Sequence, residues 1–298
     1  MKKIFVLTTL LALSNFASAQ SNTYTFDAGG LISSNTDTDS SSQSIRGVGG
    51  TYYFQPLNVE GDEPYAERNF VQKSSNASIR YGTNQFATST FNTVDINQLT
   101  IAGELHINNF VGGVDNSSWK GTFPVKTAPQ YSYEIKSDAN EYYLGYYFAK
   151  YNLITFSQRT SKATYTRSSN LLTNLSDFNI TKNLLKSKNL FKLGQDQFAV
   201  LNLGYGSVQY KNSSDQSNSY YSISGRYYPA KKLYLEAAYS AEQGDKKAYA
   251  GNTMGLELGL AITPRLMASL SSSQFTASDV ASGGANNITN TFLVSYRF

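Results

Sequence analysis

A single histidine limits the chemistry that this chain could perform. Hydrolases of the Ser/His/Asp type and Asp/His proteases need a histidine to carry a proton, and His106 is the one histidine in 298 residues. Glu104 stands two residues away, but no serine or aspartate stands at a motif spacing from His106. The sequence therefore predicts no catalytic residues and no enzyme activity.

Thiol and metal chemistry have equally little support. The chain contains no cysteine, and transition-metal sites in proteins are built mainly from cysteine and histidine. Asp37 and Asp39 carry oxygen ligands suited to calcium, but two aspartates in a Ser/Thr-rich stretch are usually solvated. We predict neither a metal site nor a cofactor.

Residues 1–19 have the pattern of a secretory signal peptide. Lys2 and Lys3 precede a mostly apolar stretch, and Ala17-Ser18-Ala19 is a small-residue cleavage site. An apolar stretch of about ten residues is too short to span a bilayer, which argues against a membrane anchor. We expect cleavage there, leaving residues 20–298 as one mature domain.

The carboxyl-terminal residues predict an amphipathic strand with an aromatic end. Apolar or aromatic side chains alternate with polar ones, so that one face can lie in lipid or in a core. These residues are Phe292, Val294, Tyr296 and Phe298. A final Phe with Tyr two positions before it resembles the signal read by the outer-membrane barrel-assembly machinery. We therefore expect this machinery and outer-membrane lipid as partners, and the Gram-negative outer membrane as the location.

Alternating segments recur along the chain and predict an all-β fold, a transmembrane antiparallel β-barrel. Charged residues make up only 15% of the chain, aromatic residues 14%, and no apolar run after the signal approaches the length of a membrane helix. About fourteen segments alternate, an even number as in bacterial barrels, with twelve or sixteen as alternatives. The connection at residues 109–125 stays open, and a soluble β-sandwich is the alternative fold.

Charged side chains predict a water-filled interior. Along their strands they alternate with the apolar residues, and so they point to the other face of the sheet. An Arg or Lys facing lipid at the membrane midplane would cost about 2–4 kcal/mol. The predicted pore-lining residues are Arg80, Glu104, His106, Glu134, Lys136, Arg159, Arg226, Glu236 and Glu257. Apart from His106, basic and acidic residues are equal in number in this set, which predicts weak charge selectivity. The alternative is a closed network of paired charges. The chain has no clustered basic face, so we expect no nucleic-acid partner.

Residues 55–75 are too many and too charged for a hairpin turn. Their charged members include Glu60, Asp62, Glu63, Glu67 and Arg68. We predict that this segment folds partly into the barrel mouth, where its charges meet Arg80 and other interior residues, and constricts the pore. A segment that lies outside the barrel, or that extends the third strand, is the alternative.

Several short matches surround this segment. They are Gly50-Thr-Tyr-Tyr-Phe54, Pro64-Tyr-Ala-Glu67, Phe70, and Ser75-Asn76 leading into Ala77-Ser-Ile-Arg-Tyr81. In these residues the chain resembles the gammaproteobacterial putative porin family, small fourteen-stranded outer-membrane porins of the Acinetobacter type. The resemblance is specific over residues 47–82 and elsewhere rests on strand pattern and the terminal Phe. It implies a fourteen-stranded barrel that passes small solutes.

The leading functional hypothesis is a porin for passive diffusion of small polar solutes and ions, with weak charge selectivity and a constriction on the periplasmic side. The alternative is a closed barrel that acts through its external loops as an adhesin or receptor. Several connections are rich in Ser, Asn and Gly and poor in aromatic residues, which favours transport.

Overall fold

The alternating segments form a closed antiparallel barrel of fourteen strands in the computed structural model. The structure describes residues 23–37, 42–86, 94–124, 132–168, 175–211, 216–244, 250–278 and 287–298. The expected signal peptide at residues 1–19 and Asp39 lie outside these ranges. The predicted fold class and strand number are confirmed.

Each strand pairs with its neighbours in sequence, and β1 pairs with β14 to close the barrel. The strands are β1 Thr23–Asp37, β2 Ser42–Asn58, β3 Asn76–Phe86, β4 Val94–Ile107, β5 Phe110–Pro124, β6 Ser132–Ala149, β7 Asn152–Ser168, β8 Leu175–Lys192, β9 Phe198–Lys211, β10 Gln216–Ala230, β11 Leu233–Gly244, β12 Gly251–Ala261, β13 Leu266–Ala277 and β14 Asn287–Arg297. Between β2 and β3 lie a 3-10 turn, Tyr65–Glu67, and a short helix α1, Arg68–Gln72. No helix in the described ranges is long and apolar enough to cross a membrane.

The connection at residues 109–125, which the sequence left open, is mostly strand β5. Ile107 pairs with Phe110, so that Asn108 and Asn109 make a two-residue turn. Asn108 has a φ of 55°, a left-handed conformation that asparagine tolerates and that such hairpins require. Short connections of this kind, together with Thr23 and Phe298, lie at one end of the barrel, here called the turn end.

Side chains alternate between the outer and the inner face because successive residues of a strand point to opposite sides. Large apolar residues on the outer parity are exposed, as expected of a lipid-facing belt; examples are Ile101, Leu144, Phe156, Leu256 and Leu270. Serine, threonine, glycine and charged residues occupy the inner parity. The barrel interior is therefore polar.

The closed barrel predicts heat-modifiable migration on SDS gels. Every strand has two hydrogen-bonded neighbours, so there is no free edge from which detergent can begin unfolding at room temperature. Unboiled protein should run as a compact β-rich species and shift after boiling. A soluble, detergent-free monomer with a single mobility would contradict this expectation.

Phe298 closes the seam between the first and last strands. Its N–H donates to the Phe26 carbonyl at 2.7 Å, its carbonyl accepts from the Thr25 N–H at 2.9 Å, and its ring lies 4.8 Å from that of Tyr296. Deletion of Phe298, or Phe298→Ser, should therefore lower the amount of assembled barrel in the outer membrane without changing synthesis. Leu270→Ser, which removes an exposed apolar residue elsewhere in the barrel, is the matched control. Normal assembly of the Phe298 variants would refute the proposed assembly signal.

Candidate functional site

Residues 59–75 turn into the barrel at the turn end, and we call them the inward segment. Pro64 precedes the 3-10 turn, and α1 follows directly. The helix ends at Lys73, whose left-handed backbone (φ 52°) lets its N–H donate to the Asn69 carbonyl at 3.0 Å. The chain then returns to the wall at β3. This compact path explains how a long connection fits inside the barrel.

The inward segment packs against the inner wall on the side of β8 to β11. Its buried Val71 lies in an apolar cluster, and Ala66 and Phe70 pack against that cluster. The wall residues of the cluster are Leu190, Phe198, Val200, Tyr228 and Tyr234. Burial of this apolar surface stabilises the segment inside the barrel rather than in solvent.

Glu67 is the principal polar anchor of the segment. Its side chain is 1% exposed; Oε1 accepts hydrogen bonds from Tyr228 Oη at 2.7 Å and Arg226 Nη1 at 3.0 Å. Lys188 Nζ lies 2.6 Å from the other carboxylate oxygen. We call Glu67, Lys188, Arg226 and Tyr228 the Glu67 latch. It joins the segment to β8 and β10.

The charges of the latch keep Glu67 ionised despite its burial. Burial alone would raise the pKa of this carboxyl. The positive charges of Lys188 and Arg226, with hydrogen bonds from Lys188 and Tyr228, outweigh burial and lower the pKa below its ordinary 4.5. Arg226 is in turn held by Glu236, with Nε 2.6 Å from Oε2. The latch is therefore a network in which each buried charge has a partner.

Hydrogen bonds to backbone carbonyls hold the segment to three further points of the rim. The Tyr65 N–H donates to the Lys231 carbonyl in the β10–β11 turn at 3.2 Å. Arg297 Nη1 of β14 donates to the Tyr65 carbonyl at 3.0 Å. Buried Arg68 donates to the Asn58 carbonyl at the end of β2 at 2.7 Å. The segment thus reaches opposite sides of the barrel mouth.

A further group of contacts lies on the side of β5 to β7. The Tyr151 hydroxyl donates to Glu63 Oε1 at 3.0 Å, and the rings of Phe70 and Tyr147 lie 5.6 Å apart. Lys73 Nζ lies 3.3 Å from Asn109 Oδ1 and over the Tyr147 ring. Contacts on β5 to β7, β8 to β11 and β14 place the segment across the mouth.

The predicted partners of the segment were partly wrong. Glu67 meets Arg226 and Lys188, not Arg80. The physical reason is the wall that the segment packs against. The apolar cluster around Val71 lies on β8 to β11, the side that carries Lys188 and Arg226, whereas Arg80 is on β3. Glu60 is exposed, and Asp62, 77% exposed, pairs with Lys231 at the rim at 3.4 Å.

Seven of the nine predicted pore-lining residues lie on the inner parity of their strands. Glu257, for example, stands between the exposed residues Leu256 and Leu258. The seven are Arg80, Glu104, His106, Arg159, Arg226, Glu236 and Glu257.

Glu134 and Lys136 were assigned to the wrong face. Strand β6 pairs with β5 without a register break, and both residues share the parity of the outward-facing Tyr142 and Leu144. On the outer face Glu134 bridges Lys136 at 3.0 Å and Lys120 at 2.9 Å. The strand has 18 residues, whereas about ten cross a membrane, so its outer face turns polar beyond the apolar belt.

His106 belongs to a wall network that includes Glu104. Its Nε2 lies 2.8 Å from Glu104 Oε1, and its backbone N–H donates to Ser75 Oγ at 2.9 Å. The Tyr143 hydroxyl donates to the other Glu104 oxygen at 2.5 Å, and Asn76 donates to Glu104 at 3.2 Å. These contacts join β3, β4 and β6 next to the end of the inward segment.

Sequence reasoning missed Lys188 and Tyr228 as partners of Glu67. Lys182, Lys186 and Lys188 stand at even spacing on β8, and this was the available signal for an inward-facing basic row. Tyr228 is buried inside the barrel, and no sequence signal distinguished it from the many other tyrosines of the chain. Beyond the segment, the described part of the interior contains recesses of about 520 and 480 Å³.

Comparison with solved structures shows the same fold. The Acinetobacter baumannii outer membrane protein Omp33 matches with a TM-score of 0.56 and 15% identity, over 94% of this chain and 100% of that one. The Pseudomonas putida toluene transporter TodX matches with a TM-score of 0.51 and 10% identity, over 93% and 89%. The Ralstonia pickettii toluene transporter TbuX matches with a TM-score of 0.52 and 10% identity, over 92% and 90%. No curated protein matches the sequence.

A family model supplies the assignment that these distant structures cannot. Residues 1–262 match the family described as "Putative general bacterial porin". The family agrees with the closed fourteen-stranded barrel, its polar interior and its exposed apolar belt. The chain therefore belongs to this general porin family and is an outer-membrane barrel of the porin type.

Proposed function

We propose that this porin lets small polar solutes and ions diffuse passively, with weak charge selectivity, through a pore that the inward segment narrows at its periplasmic end. In such barrels the short turns face the periplasm. The observation that carries the proposal is the Glu67 latch, which seats the segment across the mouth beneath a polar interior. The barrel without the segment would be wider than its side chains can fill.

The character of the interior supports polar solutes over apolar ones. Its walls expose hydroxyl groups and the backbone of glycine residues. Basic and acidic side chains occur there in similar numbers. Basic inward residues include Arg80, Arg159, Lys182, Lys186, Lys188, Arg226 and Arg297, and acidic ones include Asp27, Glu104, Asp115, Glu141, Glu236, Glu242 and Glu257. Many of them pair with one another, which supports weak selectivity.

The proposal is tested in proteoliposomes and planar bilayers. Purified protein should give discrete conductance steps and should admit neutral polyols at rates that fall with solute size. Empty liposomes, and liposomes with boiled protein, are the controls. If neither ions nor polyols cross through correctly assembled protein, the diffusion pore is refuted.

A closed barrel that acts as an adhesin or receptor remains the second candidate. The observation that favours it is the number of contacts that the inward segment makes around the mouth. The two candidates differ in one result. A closed barrel should stay impermeable in the same assays, and its binding to cells or ligands should depend on the connections at the opposite end.

A further inference from the structure

The geometry points to a binding site for small oxyanion-bearing solutes, carboxylates in particular, on the inner face of β8. This inference rests on the proposed pore and names a solute class for it. The site is formed by Lys186 and Lys188, together with hydroxyl groups of the facing strands β10 to β12, and Lys182 stands further along the same inner face of β8. It lies directly beside the Glu67 latch, on the path that a solute would take toward the inward segment.

The basic row is concentrated on two neighbouring strands. Lys182 of β8 stands directly opposite Arg159 of β7, and both are on the inner parity. Like charges directly opposite each other destabilise a sheet. An anion held between or beside them would offset that repulsion. Lys182 itself is oriented by the Tyr220 ring, whose centroid is 3.4 Å from Nζ.

Acidic groups also face this row. Glu141 pairs with Lys186 at 3.3 Å, and Glu67 pairs with Lys188 at 2.6 Å. Asp115 stands across from Glu141, and Glu242, which accepts from Asn218 at 2.9 Å, lies on the side of Lys182. The lysine row therefore does not carry a large net positive charge. Its preference for anionic solutes must come from which of the charged groups are exposed to water.

Exposure decides which charge a solute meets. The Lys186 side chain is 45% exposed and its partner Glu141 20%, while Lys188 is 34% exposed and its partner Glu67 1%. In both pairs the lysine side chain is the more exposed member and the carboxylate is the more covered one. A solute in the interior therefore meets donors and positive charge on this wall.

A recess of about 520 Å³ lies over these lysines. Besides Lys186 and Lys188, its polar lining residues include Asn202, Ser222, Ser240 and Thr253, and the rest of the lining includes Leu153 and Tyr220. Its volume falls within the range of small-molecule sites. Ammonium, hydroxyl and amide donors are the groups that bind carboxylate and phosphate oxygens. The recess thus combines space for a small solute with donors for its oxyanion.

The experiment compares uptake of charged and neutral solutes by the intact full-length protein. Proteoliposome swelling is measured with succinate, inorganic phosphate and erythritol, and each anion rate is divided by the erythritol rate. Lys182→Gln/Lys186→Gln should lower the succinate ratio about threefold or more, since local charge sets the local solute concentration. Lys120→Gln/Lys162→Gln, which removes two lysines from the outer face, is the matched control and should leave the ratio unchanged.

Calorimetric titration of succinate into the detergent-solubilised protein gives a readout independent of permeation. The wild type should bind saturably, and the inner double variant should lose about tenfold or more in affinity, as expected from removing two ammonium partners. A fall in both anion ratios supports an oxyanion site, and a fall for succinate alone supports a carboxylate site. Unchanged ratios, or no saturable binding, would overturn the inference even if erythritol enters. If erythritol does not enter at all, the proposed pore fails with it.

Discussion

Removing Val59–Glu67 and closing the gap with Gly-Ser is expected to raise the single-channel conductance several-fold. The deletion removes the Glu67 anchor and the backbone contacts of Tyr65, and these hold the inward segment across the mouth. A fourteen-stranded barrel without an inserted element is wide enough for water and ions, so resistance at the periplasmic end should fall. Planar-bilayer recordings of single insertions measure the change.

Two controls separate this effect from loss of charge or of folding. Glu60→Gln/Asp62→Asn keeps the length of the segment and removes two exposed acidic groups, so its conductance should stay near that of the wild type. The deletion variant must also keep its heat-modifiable migration. A correctly assembled deletion variant with unchanged conductance would show that the segment does not limit the pore.

Glu67→Gln is expected to release the segment while leaving the chain length unchanged. The change keeps the size of the side chain but removes the negative charge between Lys188 and Arg226. Breaking a buried ion pair costs about 3–5 kcal/mol, and Lys188 is one-third exposed, so we expect about 2 kcal/mol. That shifts the equilibrium toward the released state roughly thirtyfold. Single-channel records should show a larger fraction of time in the high-conductance level.

The matched control is Glu60→Gln, an exposed glutamate of the same segment. Acid should mimic the variant, because the pKa of Glu67 is lowered in the folded protein. The stabilisation is therefore complete above the ordinary carboxyl pKa of 4.5 and is lost as pH falls through the lowered value. A Glu67→Gln channel that matches the wild type, or a wild-type channel that closes further in acid, would contradict the latch.

Strand pattern alone predicted the barrel because period-two alternation is a local property. It placed Arg226, Glu236 and Glu257 on the inner parity, since apolar residues flank each of them in sequence. It failed for Glu134 and Lys136, where the strand continues past the apolar belt and polarity no longer marks the inner face. A charged residue indicates the interior only within the membrane-spanning part of a strand.

The partners of the inward segment were beyond sequence reasoning for a different reason. Glu67 and Arg226 are separated by 159 residues, and their contact depends on how far the segment reaches across a closed barrel. Length and charge correctly suggested that the segment needs space inside. They carried no information on which wall it meets, and this follows from the apolar cluster around Val71.

Access of neutral polymers from each side of the membrane tests the central claim most directly. Polyethylene glycols of graded size are added to one side of a bilayer that contains oriented, intact channels, and the conductance change is recorded. We place the constriction at the periplasmic end, beneath the recesses of about 520 and 480 Å³. Polymers added from the external side should therefore enter and lower the conductance at sizes that are excluded from the periplasmic side. Equal size limits from both sides, or a smaller limit from the external side, would contradict a constriction formed by the inward segment.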